Sequence, residues 1–129
     1  MGLTELVAFG VLDRHPRLRV AFLETGAVWA LAHLHRLDEH LELFGFPQRP
    51  KEKPSDQFRR QGFVSVEEVE PGLGAMLESY PESVTFASDY PHGDGVFPGA
   101  TDELRETSAL SERQREAVLT GNARRLYGL

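Results

Sequence analysis

The chain contains no cysteine among its 129 residues. That excludes disulfides, a thiol nucleophile, and any zinc or iron–sulfur site built on thiolates. It is compatible with the cytosol. No apolar run approaches the ~20 residues of a membrane span, so no membrane association is expected. The N-terminus has no basic stretch ahead of its apolar residues, which argues against a secretory signal. Positive charge is also in short supply. Fourteen Lys and Arg stand against twenty Asp and Glu, a formal net charge of -6, which gives no electrostatic reason to expect a nucleic-acid partner. No internal repeat or low-complexity tract is visible. What remains, 40% hydrophobic and 26% charged, is the composition of an ordinary globular protein with room for one modest core.

The most informative stretch runs from Val84 to Gly95, Val-Thr-Phe-Ala-Ser-Asp-Tyr-Pro-His-Gly-Asp-Gly. Its uncharged, β-branched and aromatic start suits a strand buried on both faces of a parallel sheet. Pro91 lacks the amide a central strand needs, so the strand stops and Asp89 falls at or just past its C-terminal end. In α/β folds that end is where ligands and metals sit. The competing reading is an Asp that accepts backbone amides in the following turn. His92 and Asp94 share the loop.

A second strand is expected over 18–23, Leu-Arg-Val-Ala-Phe-Leu, ending at Glu24-Thr25-Gly26. Here too a carboxylate closes a strand. Glu24 is either a site residue, a solvated one, or a partner for the positive end of the next helix. A third strand is read at Gly62–Val66. Glu67, Glu68 and Glu70 follow it, as a solvated face, the start of the next helix, or a weak metal-site signal.

The rest reads as helix and loop. Residues 4–14 form an apolar-faced helix capped by Thr4 and ended at His15-Pro16. Residues 27–46 carry Val28, Leu31, Leu34, Leu37 and Leu41 at helical spacing. His33 and His40 on that helix lie two turns apart, too far for one ion, and are read as surface histidines. Trp29 opens the helix near Glu24, as core or as a platform beside the site. The polar stretch 47–54 is read as a loop, solvated or closing over a pocket, and 55–60 as a single helical turn capped by Ser55. Helices are expected over 71–80 and 101–107. Ser111 and Gln114 form a capping box opening the last helices, which Gly121-Asn122 divides, with Asn122 as a cap. Strands alternating with helices predict a parallel sheet with right-handed crossovers.

Three segments together carry a resemblance: 14–29 (Arg-His-Pro-Arg-Leu-Arg-Val-Ala-Phe-Leu-Glu-Thr-Gly-Ala-Val-Trp), 86–94 (Phe-Ala-Ser-Asp-Tyr-Pro-His-Gly-Asp) and the tail 121–129 (Gly-Asn-Ala-Arg-Arg-Leu-Tyr-Gly-Leu). In this order they resemble the C-terminal part of the amidohydrolase-related family, which includes metal-dependent hydrolases and decarboxylases similar to aminocarboxymuconate semialdehyde decarboxylase. The resemblance implies an α/β fold, a partial (β/α)₈ barrel. Residues 1–129 would be one C-terminal portion of a barrel domain that typically runs to about 250 residues. The three strands would be units six, seven and eight, and the first helix the one between strands five and six, with the N-terminal half absent.

It also implies a divalent metal, zinc first and manganese second. In the family the metal is held by a His-x-His pair on the first strand, a histidine after a middle strand and an aspartate ending the eighth. Only the aspartate maps here, onto Asp89; His33-Leu34-His35 lies within a helix. Where many decarboxylase relatives carry a histidine at the end of the sixth strand, this chain has Glu24, which can still transfer a proton. The expected site is therefore Asp89 as metal ligand and catalytic group, Glu24 as catalytic group, and His92, Asp94 and Trp29 as supporting or substrate-contacting residues. The expected reaction is water attack on a carbonyl of a small organic acid or ester, with metal-dependent decarboxylation as the alternative. With one mapped ligand where catalytic zinc usually has about three, and with open sheet edges, the chain alone is expected to be inactive and to associate, as a homo-oligomer or with a missing half. A catalytically inactive fragment acting only by association, or a binding module using Glu67, Glu68 and Glu70, completes the set of readings.

Overall fold

The computed structural model describes residues 2–93 and 95–129. Its centre is a parallel sheet of β1 (Val20–Phe22), β2 (Gly62–Val66) and β3 (Val84–Phe86), in that spatial order. Phe22 lies beside Val64, Val64 beside Val84, and Val66 beside Phe86. Strand side chains alternate between faces, so Val20, Phe22, Val64, Val66, Val84 and Phe86 share one face, and all six belong to or pack on the hydrophobic core. β2 is buried throughout, whereas β1, at the edge, is half-buried. The expected α/β alternation and parallel pairing are therefore present, as an open three-stranded sheet.

Helices α3 (Trp29–Leu43), α4 (Pro54–Gln61) and α5 (Leu73–Ser79) connect the strands. The apolar stripe of α3 buries Ala30, Leu34 and Leu37. Several element bounds depart from the periodicity. β1 starts two residues later than expected, and just ahead of it Gln61 Nε2 donates to the carbonyls of His15 and Leu18. The turn expected over 55–60 is an eight-residue helix with Pro54 in its first turn; Asp38, from α3, accepts the Ser55 amide, so Ser55 is not the cap. The expected helix over 4–14 is two, α1 (Gly2–Ala8) and α2 (Val11–Arg14), divided at Gly10, whose φ of 65° is left-handed. The polar loop 47–54 is tied to α2 by Arg14–Gln48 and Asp13–Lys51 hydrogen bonds and does not reach the strand ends.

After β3, α6 (Asp102–Glu106) precedes α7 (Glu112–Glu116), a π-helical turn (Ala117–Gly121) and α8 (Asn122–Tyr127). The Ser111–Gln114 capping box forms as expected. Asn122 does not cap a helix. The helical path runs on through Gly121, and the buried Asn122 side chain donates to the carbonyls of Pro81 and Val84, fastening the tail to β3. Among the described residues no helix is long and apolar enough to cross a membrane.

Candidate functional site

Parallel strands place all their C-terminal ends on one edge, and a carboxylate follows each: Glu24 after β1, Glu67 after β2, Asp89 after β3. Glu24 and Asp89 share a second peculiarity. Their φ angles are 56° and 52°, and among the described residues they are the non-glycine residues with positive φ. The left-handed region costs an L-residue about 1–2 kcal/mol, and Glu, unlike Asp, has no special tolerance for it. Such strain persists where the surroundings over-determine the backbone, and it clusters at functional sites.

The two carboxylates converge. One donor atom from each of Glu24, Asp89 and His92 lies within 4.8 Å of the others. Asp89 is sheltered, its side chain 12% exposed, while His92 is 62% exposed. His92 Nδ1 hydrogen-bonds Asp89 Oδ2 at 2.9 Å, and the His92 amide donates to the Asp89 carbonyl. The loop therefore folds back on the residue that starts it, and the imidazole is oriented by the carboxylate. Gly95 sits against the Ser88 and Asp89 carbonyls so closely that a Cβ there would lie 2.9 Å from the first and 3.1 Å from the second.

Around Glu24 the supports come from β2 and the loop after it. The Glu24 amide donates to Ser65 Oγ at 3.2 Å. Glu70 accepts the Ala27 amide at 2.6 Å and the Val28 amide at 3.3 Å. The helix-end role considered for Glu24 thus belongs to Glu70, acting on α3 and not on the helix that follows it in sequence. A cleft of about 360 Å³ opens beside the cluster, lined by Glu24, Glu67, Glu68, Glu70, Ser88 and Val96 among others. Glu67 and Glu68 are exposed on its wall and lie outside the three-residue cluster.

Of the other expected site residues, Trp29 is half-buried, packs edge-on against Phe22, and donates Nε1–H to the Gly26 carbonyl at 2.9 Å. It braces the Glu24 turn. Asp94 lies outside the described residues. His33 bonds Thr4 at 2.9 Å, and burial holds its pKa below the ordinary value. His40 stacks on Phe46. Neither reaches the strand ends. Ser65 was not singled out in the sequence, and Glu70 was read only as one of the acidic run 67–70, at the start of the following helix, on a solvated face or at a metal, and not as a partner of α3. A lone hydroxyl in the otherwise apolar run 62–66 was the available signal for Ser65; the role of Glu70 had none, because its partners lie more than forty residues away.

Two carboxylates and an imidazole make an oxygen–nitrogen donor set that suits zinc or manganese. The three side chains present fit a divalent cation in number and kind.

A sequence model described as amidohydrolase matches residues 5–129. No curated protein matches. An amidohydrolase from Mycobacterium avium subsp. paratuberculosis K-10 shares the fold with a TM-score of 0.79 at 24% identity, over 96% of this chain and 32% of that one. 5-Carboxyvanillate decarboxylase from Sphingomonas paucimobilis gives 0.71 at 28% identity, over 99% and 38%. A dihydroxybenzoic acid decarboxylase from Polaromonas sp. JS666, solved with manganese and 2-nitroresorcinol, gives 0.70 at 21% identity, over 98% and 39%. The chain thus spans 32% to 39% of the length of these structures.

Proposed function

The chain belongs to the amidohydrolase family, and on that premise we propose that Glu24, Asp89 and His92 hold a divalent cation for metal-dependent hydrolysis of a small organic substrate. The observation that carries this reading is the convergence of the three donors at the strand ends. Strands β1, β2 and β3 take the places of barrel units six to eight, and zinc or manganese is the cation. A bound cation supplies a Lewis acid that polarises a carbonyl and makes water more acidic.

The chain's own residues do the rest. Asp89, sheltered and paired with His92, fixes the imidazole. Glu24 is exposed at the cleft and is placed to accept or return a proton. Glu67 and Glu68 make the cleft wall acidic, which disfavours a free carboxylate substrate and favours a neutral ester or amide. The second reading is decarboxylation of an aromatic acid by the same site. It is favoured by the 28% identity to 5-carboxyvanillate decarboxylase. In both readings a competent site draws further groups from outside these residues, from more of the same polypeptide or from a second chain.

The test is metal content by elemental analysis after dialysis against trace zinc and manganese, on the wild-type chain and on Asp89→Asn. The expected result is near-stoichiometric metal in the wild type and its loss in the variant. Metal-free wild type would overturn the cation reading. Loaded protein is then offered esters, amides and hydroxybenzoic acids, and release of carbon dioxide from the acids alone would select decarboxylation.

A further inference from the structure

We infer that Glu70 is a positioning residue for Glu24, locking the turn that holds the Glu24 carboxylate beside Asp89 and His92. The inference rests on the reading of those three side chains as a cation site, and it adds a residue that is not itself one of the donors. Glu24 occupies a left-handed conformation at φ 56° that its side chain does nothing to favour. Something outside it must hold the backbone there.

On the strand side that hold is the pairing of Phe22 with Val64 and the bond from the Glu24 amide to Ser65 Oγ. On the helix side it is Glu70. Its two carboxylate oxygens take the Ala27 and Val28 amides, the unpaired donors at the start of α3. Bonds from amides to an ionised carboxylate are among the stronger hydrogen bonds, and the helix's positive end adds to them. Between the two holds lies Gly26, at φ 67°, where a Cβ would stand 3.1 Å from a Glu70 oxygen. Glycine suits this left-handed turn, and the Glu70 carboxylate lies tight above it. Two residues separate Glu24 from Ala27, and both ends of that span are pinned by groups from β2 or its following loop. The Glu24 backbone can relax to an ordinary conformation only by breaking one of them.

The experiment compares the wild-type chain with Glu70→Ala and Glu70→Gln. It reads amide hydrogen exchange over residues 24–28 by NMR and Mn²⁺ affinity by the electron paramagnetic resonance signal of the free ion. In Glu70→Ala, faster exchange is expected at Ala27 and Val28 and also at Glu24, with Mn²⁺ binding weakened about tenfold, as for other residues that orient ligands. Glu70→Gln keeps one acceptor and falls between. Exchange that quickens only at Ala27 and Val28, with Glu24 and the affinity unchanged, would make Glu70 a plain helix cap and overturn the inference. If the wild type binds no Mn²⁺, the cation reading fails while exchange at Glu24 still decides the positioning. If Glu70→Ala does not fold, Glu70→Gln decides by the same criterion at Glu24 and Val28.

Discussion

Gly95 has no room for a methyl group, because the nearest atoms are the backbone carbonyls of Ser88 and Asp89. A flexible side chain could swing aside; a backbone carbonyl moves only if the loop moves. Gly95→Ala is therefore expected to displace Asp89, lowering stability by about 1–3 kcal/mol. Thermal unfolding with and without Mn²⁺ checks this, and stabilisation by the ion should shrink in the variant.

His33 offers a different residue-scale test. Burial disfavours its charged form, so its folded pKa lies below its ordinary value. Between the two values the unfolded chain binds more protons than the folded one. Stability is thus complete above the ordinary histidine pKa of about 6.5, declines as pH falls through it, and levels off below the folded value. Titration of the His33 ring by NMR should give a midpoint under the ordinary histidine value of about 6.5; an equal or higher midpoint would contradict the burial argument.

At the scale of elements, the tail helix is fastened by two of its own side chains, Asn122 and Arg125, the second donating to the carbonyls of Glu82, Arg59 and Arg60. Asn122 Nδ2 serves the Pro81 and Val84 carbonyls, and the residue is buried. Asn122→Ala strips both carbonyls of that partner, at a cost of about 1–3 kcal/mol. The loss should appear as a lower denaturation midpoint at unchanged slope. Val84 opens β3, the strand that leads to Asp89, so exchange at Thr85 and Phe86 should quicken too. Asn122→Ala as stable as the wild type would show that Arg125 and the apolar contacts hold the tail without it. Elements elsewhere are held in the same way by distant groups: Asp38 at the start of α4, Glu70 at the start of α3, Gln61 at the approach to β1.

At the scale of the whole molecule, the sheet has two outer edges. β1 and β3 each pair only with β2 among the described residues. Beside β1, Leu18 and Leu23 are 39% and 52% exposed. Unpaired edges next to apolar side chains invite another chain. Concentration-dependent association is expected by light scattering on a sizing column, reduced by Leu23→Lys. A monomer at every concentration would remove this expectation and with it the idea that a second copy completes the site.

The residues alone determined the three strands to within two residues, their parallel order, the placement of Glu24 and Asp89 at strand ends, and the Ser111–Gln114 cap. All of these are local: β-branched runs, a proline that stops a ladder, a serine three residues before a glutamine. The resemblance of the same segments led to the family. Only the tertiary structure decided that donors of Glu24, Asp89 and His92, grouped in the sequence by resemblance alone, come within 4.8 Å of one another, that Glu70 serves the start of a helix more than forty residues earlier in the chain, that Gly10 breaks the first helix, and that Asn122 anchors where it looked like a cap. Most of these are bonds or approaches between groups far apart in the chain, and one is a backbone angle at a glycine. Periodicity is blind to both, since it records which face a residue takes and not which distant atom will meet it.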